Sequence, residues 1–508
     1  MKKSKKAFKV PKHMKEMGKH AQTIGESSIG IGKEIGKGIY KIGKVGVKTT
    51  AEVGKGAYKI SEIGVDTSIA VGKQVFRAGK AGVNTGIAAT KGLSSVIFYP
   101  VKKRRSILDF FWKSKRGIIT GAADNDPAGI VTYTQTGAIA GYHLLWLVPL
   151  ALPLLVAVEE MATRIGLITK KGINQIIIEN FGLFWAWFTT IIIVICNTLT
   201  IGADIAAMAD VSNILTGIPS VVFALLFGAL FLFVLYKKGY AVISRWLFIL
   251  TPVFLAYIVS AFLFNVPWGQ ALRDTFIPRL SIINMDFAMV ALGFLGTTIT
   301  PFLVFWETTQ EIEERKDVKH LGRERVGVTM GMFFTQFVTF FIVIAAAAAF
   351  SGGGHLITTA RDAAVVLKPL GVASFLLFSV GILGSGLIAI PVLAASTGYT
   401  FAETMQWKNK GLNKSFSKAK GFYIVIFLSI IIGVIISLSG FNAMLMLLYS
   451  QVLNGVLMPI LLVFLLLITN NKKIMGINKN KFWSNFFGIL AVVINVMFIA
   501  IMVWGWIK

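Results

Sequence analysis

The chain has 508 residues, of which 55% are hydrophobic, and its mean hydropathy is +0.71. This composition is too apolar for a soluble protein of that length. The net charge of +27 is concentrated in the first 116 residues and in a few loops between apolar runs. A single cysteine, Cys196, excludes an intramolecular disulfide and a thiolate metal cluster.

Residues 18–89 contain four copies of an 18-residue repeat, which begin GKHAQTIG, GKGIYKIG, GKGAYKIS and GKQVFRAG. Eighteen residues make about five turns of an α-helix, so each repeat position returns to the same face. The charged residues then form a narrow stripe on a small, apolar helix, which is typical of a helix lying on anionic lipid. A disordered basic tail is the alternative, and no nucleic-acid partner is expected. We expect residues 1–115 to form this basic amphipathic region and residues 116–508 to form a transmembrane domain.

Apolar runs of roughly 20 residues recur after this region, and each is long enough to cross a bilayer as a helix. We predict eleven spans, near residues 117–141, 144–168, 183–209, 219–236, 245–264, 286–306, 326–350, 370–400, 422–438, 441–469 and 485–506. Lysine-rich loops alternate with loops that carry few positive charges, and the basic N-terminus belongs to the lysine-rich set. The positive-inside rule therefore predicts a multi-pass protein of the plasma (cytoplasmic) membrane with a cytoplasmic N-terminus.

The first predicted span contains the polar sequence ADNDPAGI at residues 123–130. Ionisable residues inside a span are rare and usually mark a substrate pathway. Pro127 removes a backbone donor, and we expect the helix to unwind at Ala128–Gly129 and to free carbonyls beside Asp126. Such hard oxygens suit a hard cation. The alternative is that the span begins at Ile130 and that the acidic stretch is only its cap.

The sixth predicted span carries a similar interruption, GFLGTTITPFLVFWETTQ at residues 293–310, in which three threonines precede Pro301. The two interruptions lie five spans apart. Breaks at corresponding positions of two halves indicate an inverted-repeat transporter with a binding site near the middle of the membrane. An odd spacing of five spans requires the two halves to have opposite topology.

Three segments support a family resemblance. ADNDPAGIVTYTQTGAIAGYHLLW resembles the first helix of the Nramp divalent-metal transporters, LGTTITPFLVFWETTQEIEE resembles their sixth, and SQVLNGVLMPILLVFLLLITNNKKIMG resembles their tenth. The resemblance covers about residues 116–508. It implies an all-α, leucine-transporter-like fold, in which helices 1–5 and 6–10 are inverted repeats, helices 1 and 6 are broken, and an eleventh helix is added.

Carried over residue by residue, the resemblance implies that Asp126 is the metal-binding aspartate. The family's asparagine falls at Gly129, while its alanine carbonyl and methionine sulfur fall at Thr297 and Thr300. A thioether favours softer transition metals, and a threonine hydroxyl removes that preference. A roomier, all-oxygen site with one carboxylate fits hydrated Mg²⁺ and resembles the Nramp-related magnesium transporter branch. The alternative is that the two threonines only satisfy freed backbone groups.

The resemblance also assigns residues on other helices. The family's tenth-helix glutamine falls at Gln451, with Asn454 nearby, and its acidic pair in the third helix falls at Asp204 and Ala207. A sixth-helix histidine falls at Glu307. Because this proton relay is incomplete, we expect transport that is not proton-coupled, with Asp204 and Glu307 as candidates for the ion pathway.

The resemblance therefore implies a transporter of divalent cations, most of all Mg²⁺ and also Mn²⁺, that works by alternating access. The metal would be a substrate, without a resident cofactor, and anionic lipid headgroups would bind the N-terminal region. Three alternatives remain: a proton-coupled Mn²⁺ or Fe²⁺ importer, a sodium and amino-acid transporter of the same fold, and a lipid-binding scaffold or sensor. We expect no enzyme, because no nucleophile–base pair or phosphate loop stands out.

Overall fold

The computed structural model describes residues 126–237, 253–278, 284–313 and 321–507. The 18-residue repeats, the boundary near residue 115 and the start of the first predicted span lie outside the described residues. Parts of the fifth span and of two lysine-rich loops lie outside them as well. All regular secondary structure in the described segments is helical.

The helices coincide with apolar runs, because a chain within a bilayer must satisfy its backbone hydrogen bonds internally. They are α1 (Pro127–Ala140), α2 (Leu147–Thr169), α3 (Ile173–Phe181), α4 (Leu183–Thr216), α5 (Ser220–Lys237), α6 (Leu255–Leu263), α7 (Trp268–Phe276), α8 (Met285–Thr298), α9 (Pro301–Glu313), α10 (Leu321–Ala349), α11 (Ala360–Ala364), α12 (Ser374–Thr404), α13 (Lys420–Ser437), α14 (Ala443–Asn470), α15 (Lys472–Met475) and α16 (Phe482–Ile507). Each predicted span overlaps at least one of them. Within the described residues, eight helical segments are long and apolar enough to cross a membrane, which confirms an all-α polytopic protein.

The short helices α3, α7, α11 and α15 lie in connections that the sequence analysis left without structure. They are too short to cross a bilayer and carry no long apolar run. Their stability depends on tertiary contacts instead: the buried carboxylate of Glu403, for example, accepts a hydrogen bond from the Asn174 backbone N–H in the first turn of α3, at 3.3 Å. Such partners come from distant sequence, so local patterns do not reveal them.

The interruption predicted in the sixth span is present. Helix α8 ends at Thr298, Ile299 leaves the helical region with φ −112° and ψ 76°, and α9 starts at Pro301. Pro301 has no N–H, so it cannot donate the helical hydrogen bond to the carbonyl oxygen of Thr297 four residues earlier. The proline therefore separates the span into two helices and leaves a carbonyl available at the break.

The first span differs from the expectation at Ala128–Gly129. These residues are helical, and the predicted unwinding there is wrong. Pro127 occupies the first helical position, where its fixed φ is favourable and its missing N–H costs nothing. Asp126 is extended, with φ −67° and ψ 171°, and caps the helix. Because Asp126 is only 1% exposed, the alternative of a solvated acidic cap before Ile130 is also disfavoured.

Helix α1 is the centre of the packing and contacts α4, α8, α10, α12 and α14. Two glycine contacts bring the backbones of neighbouring helices unusually close. A Cβ added to Gly137 would meet the carbonyl of Val343 in α10, and one added to Gly296 of α8 would meet the carbonyl of Gln451 in α14. These approaches pack α1 against α10 and α8 against α14 at the level of the backbone.

Candidate functional site

Two carboxylates share the N-terminus of α1. The Gly129 N–H donates to Oδ1 of Asp126, and the Ala128 N–H donates to Oδ1 of Asp204, which comes from α4, at 3.2 Å. Adjacent backbone donors therefore bind two different side chains, so the carboxylates lie side by side and repel each other. The backbone N–H groups and the dipole of the helix N-terminus partly compensate this negative charge.

Each of these carboxylates keeps one oxygen without a hydrogen-bond partner among the described residues, namely Oδ2 of Asp126 and Oδ2 of Asp204. Both side chains are fully enclosed by protein. A buried, unneutralised carboxylate is energetically costly, and two neighbouring ones more so. The arrangement is therefore suited to a divalent cation or to a proton.

The end of α8 packs against α1, the helix whose N-terminus holds the two carboxylates. The Tyr133 hydroxyl of α1 lies 3.2 Å from Oγ1 of Thr298, and its ring packs edge-on against Phe294 at 5.2 Å. Thr297 and Thr300 flank this contact, and their buried hydroxyl oxygens have no hydrogen-bond partner within the described part of the chain. The break in the sixth span therefore lies against α1, and its hydroxyl oxygens are available there as neutral ligands.

Helix α14 contributes amide groups one turn apart. Asn454 Nδ2 donates to Oε1 of Gln451 at 3.0 Å, while Nε2 of Gln451 lies 3.4 Å from the Ser450 hydroxyl. Oδ1 of Asn454 has no hydrogen-bond partner in the described residues. The oxygen that remains available on α14 therefore belongs to Asn454, whereas the resemblance pointed first to Gln451.

We call Asp126, Asp204, Thr297, Thr300 and Asn454 the candidate site, because the structure brings their helices together around unpartnered oxygens. The set offers two carboxylates, whereas the sequence analysis expected one. Among the described residues, no group of three or more histidine, cysteine, aspartate or glutamate side chains could hold a metal ion. Any cation here would need neutral oxygens or water to complete its coordination.

Other predicted residues have different positions. Gly129 has no side chain to offer and uses its N–H to bind Asp126. Pro127 and Pro301 each start a helix. Glu307 is buried on α9, six residues beyond Pro301, which places it roughly 9 Å further along that helix. Glu307 is therefore outside the candidate site.

Several polar residues in the apolar core were not singled out from the sequence. Thr132, Gln336 and Thr339 are buried, and their side-chain polar atoms have no hydrogen-bond partner in the segments that the structure describes. The available signal was a polar residue within a long apolar run. That signal is weak for threonine, because its hydroxyl commonly bonds to a carbonyl of its own helix, as Thr134 does to Ile130.

Comparisons with known proteins identify the family of this chain. A family model described as natural resistance-associated macrophage protein-like (Nramp) matches residues 117–505. The divalent metal cation transporter MntH of Yersinia pestis is 30% identical over 393 residues, which cover 74% of this chain and 91% of that protein. MntH of Caldanaerobacter subterraneus is 27% identical over 377 residues, or 70% of this chain and 84% of that protein.

The fold also matches a solved structure. A mutant of the Eremococcus coleocola manganese transporter superposes with a TM-score of 0.63 at 18% sequence identity, covering 78% of this chain and 87% of that one. Together with these matches, the interrupted sixth span and the buried carboxylates define a polytopic membrane protein of the transporter class. The chain belongs to the Nramp family. In the relatives named above, the metal is the transported substrate and not a cofactor.

Proposed function

We propose that this protein transports divalent metal cations across the membrane by alternating access around the candidate site. The observation that carries the proposal is the pair of buried carboxylates, Asp126 and Asp204, at the start of α1. A divalent cation would balance both negative charges, and the neutral oxygens of Thr297, Thr300 and Asn454 would replace part of its water shell. Membership of the Nramp family supports this reading.

We further propose that Mg²⁺ is the preferred ion and that Mn²⁺ is accepted. The oxygens of the candidate site are hard donors, which suit Mg²⁺. Thr300 and Gly129 stand where the family resemblance implies a methionine and an asparagine, so a sulfur donor and an amide are replaced by a hydroxyl and by space for water. Mg²⁺ gives up its water reluctantly and is commonly bound with several waters retained.

Transport would then be driven by the membrane potential without proton coupling. Ala207 stands at the second position of the family's acidic pair, so it offers no second proton carrier on α4. A divalent ion that moves inward gains about 4.6 kcal/mol per 100 mV of inside-negative potential. That free energy alone supports strong accumulation.

The second candidate function is a proton-coupled importer of Mn²⁺ or Fe²⁺. Two observations favour it. The relatives described above are named for divalent metal cation or manganese transport. In addition, a Cβ added to Gly386 would meet the Met208 sulfur and would lie 3.3 Å from Cγ of Pro127, so a soft donor lies close to the start of α1. Asp204 beside Asp126 would then be the group that exchanges the proton.

The test is ion influx into proteoliposomes that contain the full chain, with a metal-sensitive dye and a pH dye inside. A potassium gradient with valinomycin sets the potential. We expect Mg²⁺ and Mn²⁺ influx that rises with inside-negative potential at constant lumenal pH. Asp126→Asn should abolish the flux, and Asp204→Asn should raise KM about tenfold or more.

The outcomes separate the two candidates. Influx of Mn²⁺ alone with lumenal acidification would support the proton-coupled importer, and loss of Mn²⁺ flux in Met208→Leu would assign the sulfur to the metal. Absence of any divalent flux in the wild type would refute both. Phe337→Leu, which changes a lipid-facing side chain of α10, is the control for expression and reconstitution.

For the N-terminal region we propose a cytoplasmic location and binding to anionic lipid headgroups, on the basis of the amphipathic repeat at residues 18–89. Deletion of residues 1–100 should leave ion flux intact and weaken the binding of the purified protein to anionic lipid. If the deletion abolishes function in cells while flux in proteoliposomes persists, the region is the working part of a scaffold or sensor.

A further inference from the structure

One face of α10 is directed towards α1. Val343, Ala346 and Ala347 approach Gly137 of α1, since a Cβ added there would lie 2.6 Å from Cβ of Ala346 and 2.8 Å from N of Ala347. Residues spaced by three, four or seven positions share a helix face. Gln336 and Thr339 lie seven and four residues before Val343, so both belong to the face that is directed towards α1.

The two helices run in the same direction. Gly137 contacts the segment Val343–Ala347, and Gly141, at the end of α1, contacts Gly352 just beyond the end of α10. Seven residues back along both helices, or roughly 10 Å, Gln336 is level with Ile130. Helical side chains lean towards the N-terminus of their own helix. The amide of Gln336 therefore extends towards the start of α1, where Asp126 and Asp204 lie.

Both side chains are buried without hydrogen bonds. Gln336 is 3% exposed and Thr339 is fully enclosed, and neither the amide atoms nor the hydroxyl has a hydrogen-bond partner among the described residues. By contrast, the adjacent Phe337 is 44% exposed on the lipid-facing side. A buried amide and hydroxyl without partners cost free energy in a membrane span, where apolar side chains would pack at no such cost. An amide and a hydroxyl each bind water, so water molecules would satisfy these groups.

We propose that Gln336 and Thr339 bind water molecules that the transported cation retains, and that they thereby set the preference for strongly hydrated divalent cations. This inference rests on the proposed function and extends it to α10. The amide of Gln336 both donates and accepts hydrogen bonds, so it can orient a water oxygen towards the cation. Binding of ions that keep their water, such as Mg²⁺, depends on Gln336 and Thr339 more than binding of ions that shed water readily, such as Mn²⁺. The two residues are positioning groups and do not contact the metal.

The test compares Gln336→Leu and Thr339→Val with wild type and with Phe337→Leu, for Mg²⁺ and Mn²⁺ separately, in proteoliposomes of the full chain. We expect KM for Mg²⁺ to rise about tenfold in Gln336→Leu and severalfold in Thr339→Val. KM for Mn²⁺ should change less than threefold, and kcat should be unchanged for both ions. Phe337→Leu should behave as wild type.

Thr339→Val also distinguishes water binding from a structural role. If the hydroxyl were only an unsatisfied buried group, its removal would raise thermal stability without changing KM, since valine has nearly the same shape. This variant also carries the test if Gln336→Leu fails to fold. Unchanged KM for Mg²⁺, equal shifts for both ions, or a fall in kcat alone would overturn the inference. A wild type without divalent flux would instead refute the proposed function.

Discussion

At the scale of single residues, the candidate site depends on one helix N-terminus that serves two carboxylates. Asp126 caps its own helix, and Asp204 reaches the next backbone donor from a helix 76 residues further along the chain. The donors fix the carboxylates in place but leave one oxygen of each available. This geometry would offer a cation two negatively charged ligands in a buried position where water does not screen them.

The softness of the ligands is the property of the site that a single substitution changes most directly. In Thr300→Met a thioether replaces a buried hydroxyl at the break of the sixth span. We expect KM to fall for Mn²⁺ and Cd²⁺ and to rise for Mg²⁺, so that the ratio of the two KM values shifts about tenfold or more. The measurement is competition between these ions for influx into proteoliposomes.

The matched control for this substitution is Phe333→Met, which adds a thioether on the lipid-facing side of α10. It should leave the ion preference unchanged. If Thr300→Met likewise leaves the ratio unchanged, Thr300 does not face the cation, and its hydroxyl serves only the backbone around the break.

The sequence identified some features of the candidate site and missed others. Asp126, Thr297 and Thr300 were recognised because polar residues and a proline interrupt apolar runs. The pairing of Asp204 with Asp126 was not, since it depends on how α4 packs against α1. Whether a threonine hydroxyl is satisfied within its own helix is likewise decided by its side-chain rotamer, which is invisible in the sequence.

At the scale of helices, close glycine contacts fix the position of the broken span. A Cβ on Gly296 would meet the Gln451 carbonyl and the backbone N of Gly455, while a Cβ on Gly455 would meet the Leu292 carbonyl. Helices α8 and α14 therefore touch backbone to backbone immediately before the break. This contact keeps Thr297 near Asn454.

Gly296→Ala tests this contact. The methyl group has no space, so α8 and α14 must separate, and we expect a loss of about 1–3 kcal/mol in stability together with a higher KM. Gly327→Ala is the control, because a Cβ there meets nothing within 4 Å and alanine favours the helix. Thermal unfolding in detergent gives the comparison. Equal melting temperatures for the two variants would show that α8 and α14 can separate without a loss of stability.

A second set of contacts between elements is ionic. Glu160 of α2 binds Arg164 of the same helix at 3.1 Å and Arg325 of α10 at 2.6 Å. Arg164 also donates to the Asn478 carbonyl at 2.9 Å and to the Asn480 side chain. The cluster thus connects α2, α10 and the segment before α16, and Glu160 is a structural ion-pair residue.

The exposed fractions of the two arginines predict which ion pair of Glu160 contributes more to stability. Arg164 is 3% exposed, whereas Arg325 is 46% exposed. Glu160→Gln leaves a buried guanidinium without a counter-charge and should cost about 3 kcal/mol. Arg325→Gln removes a solvated partner and should cost about 1 kcal/mol or less. Thermal unfolding of both variants checks the order, and similar losses would mean that the buried position of Arg164 has no special role.

Sequence reasoning was more successful for helices than for contacts between them. Every predicted span overlaps a helix, since long apolar runs in a bilayer have one stable conformation. The sixth-span break was predicted because proline stops the helix. The short helices α3, α7, α11 and α15 were missed because they carry no long apolar run, and α3 also depends on a hydrogen bond to the distant Glu403.

At the scale of the whole molecule, positive charge is distributed unequally between the loops. Lys408, Lys410 and Lys414 lie between α12 and α13, and Lys472 and Lys473 follow α14, whereas the segment 438–442 between α13 and α14 has none. The positive-inside rule assigns the lysine-rich loops to the cytoplasm. The same rule predicts a cytoplasmic position for the basic N-terminal region, where anionic lipids are available to it.

This topology is tested by the two ends of α14. In a Cys196→Ala background, Ser439→Cys lies before α14 and Lys473→Cys lies after it, and both positions are exposed. We expect a membrane-impermeant maleimide to label Ser439→Cys in intact cells and to label Lys473→Cys only after permeabilisation. Because one helix of 28 residues separates the two positions, they must lie on opposite sides if α14 crosses the membrane once. The reverse pattern would place the lysine-rich loops and the N-terminus outside, and labelling of both in intact cells would show that α14 does not span.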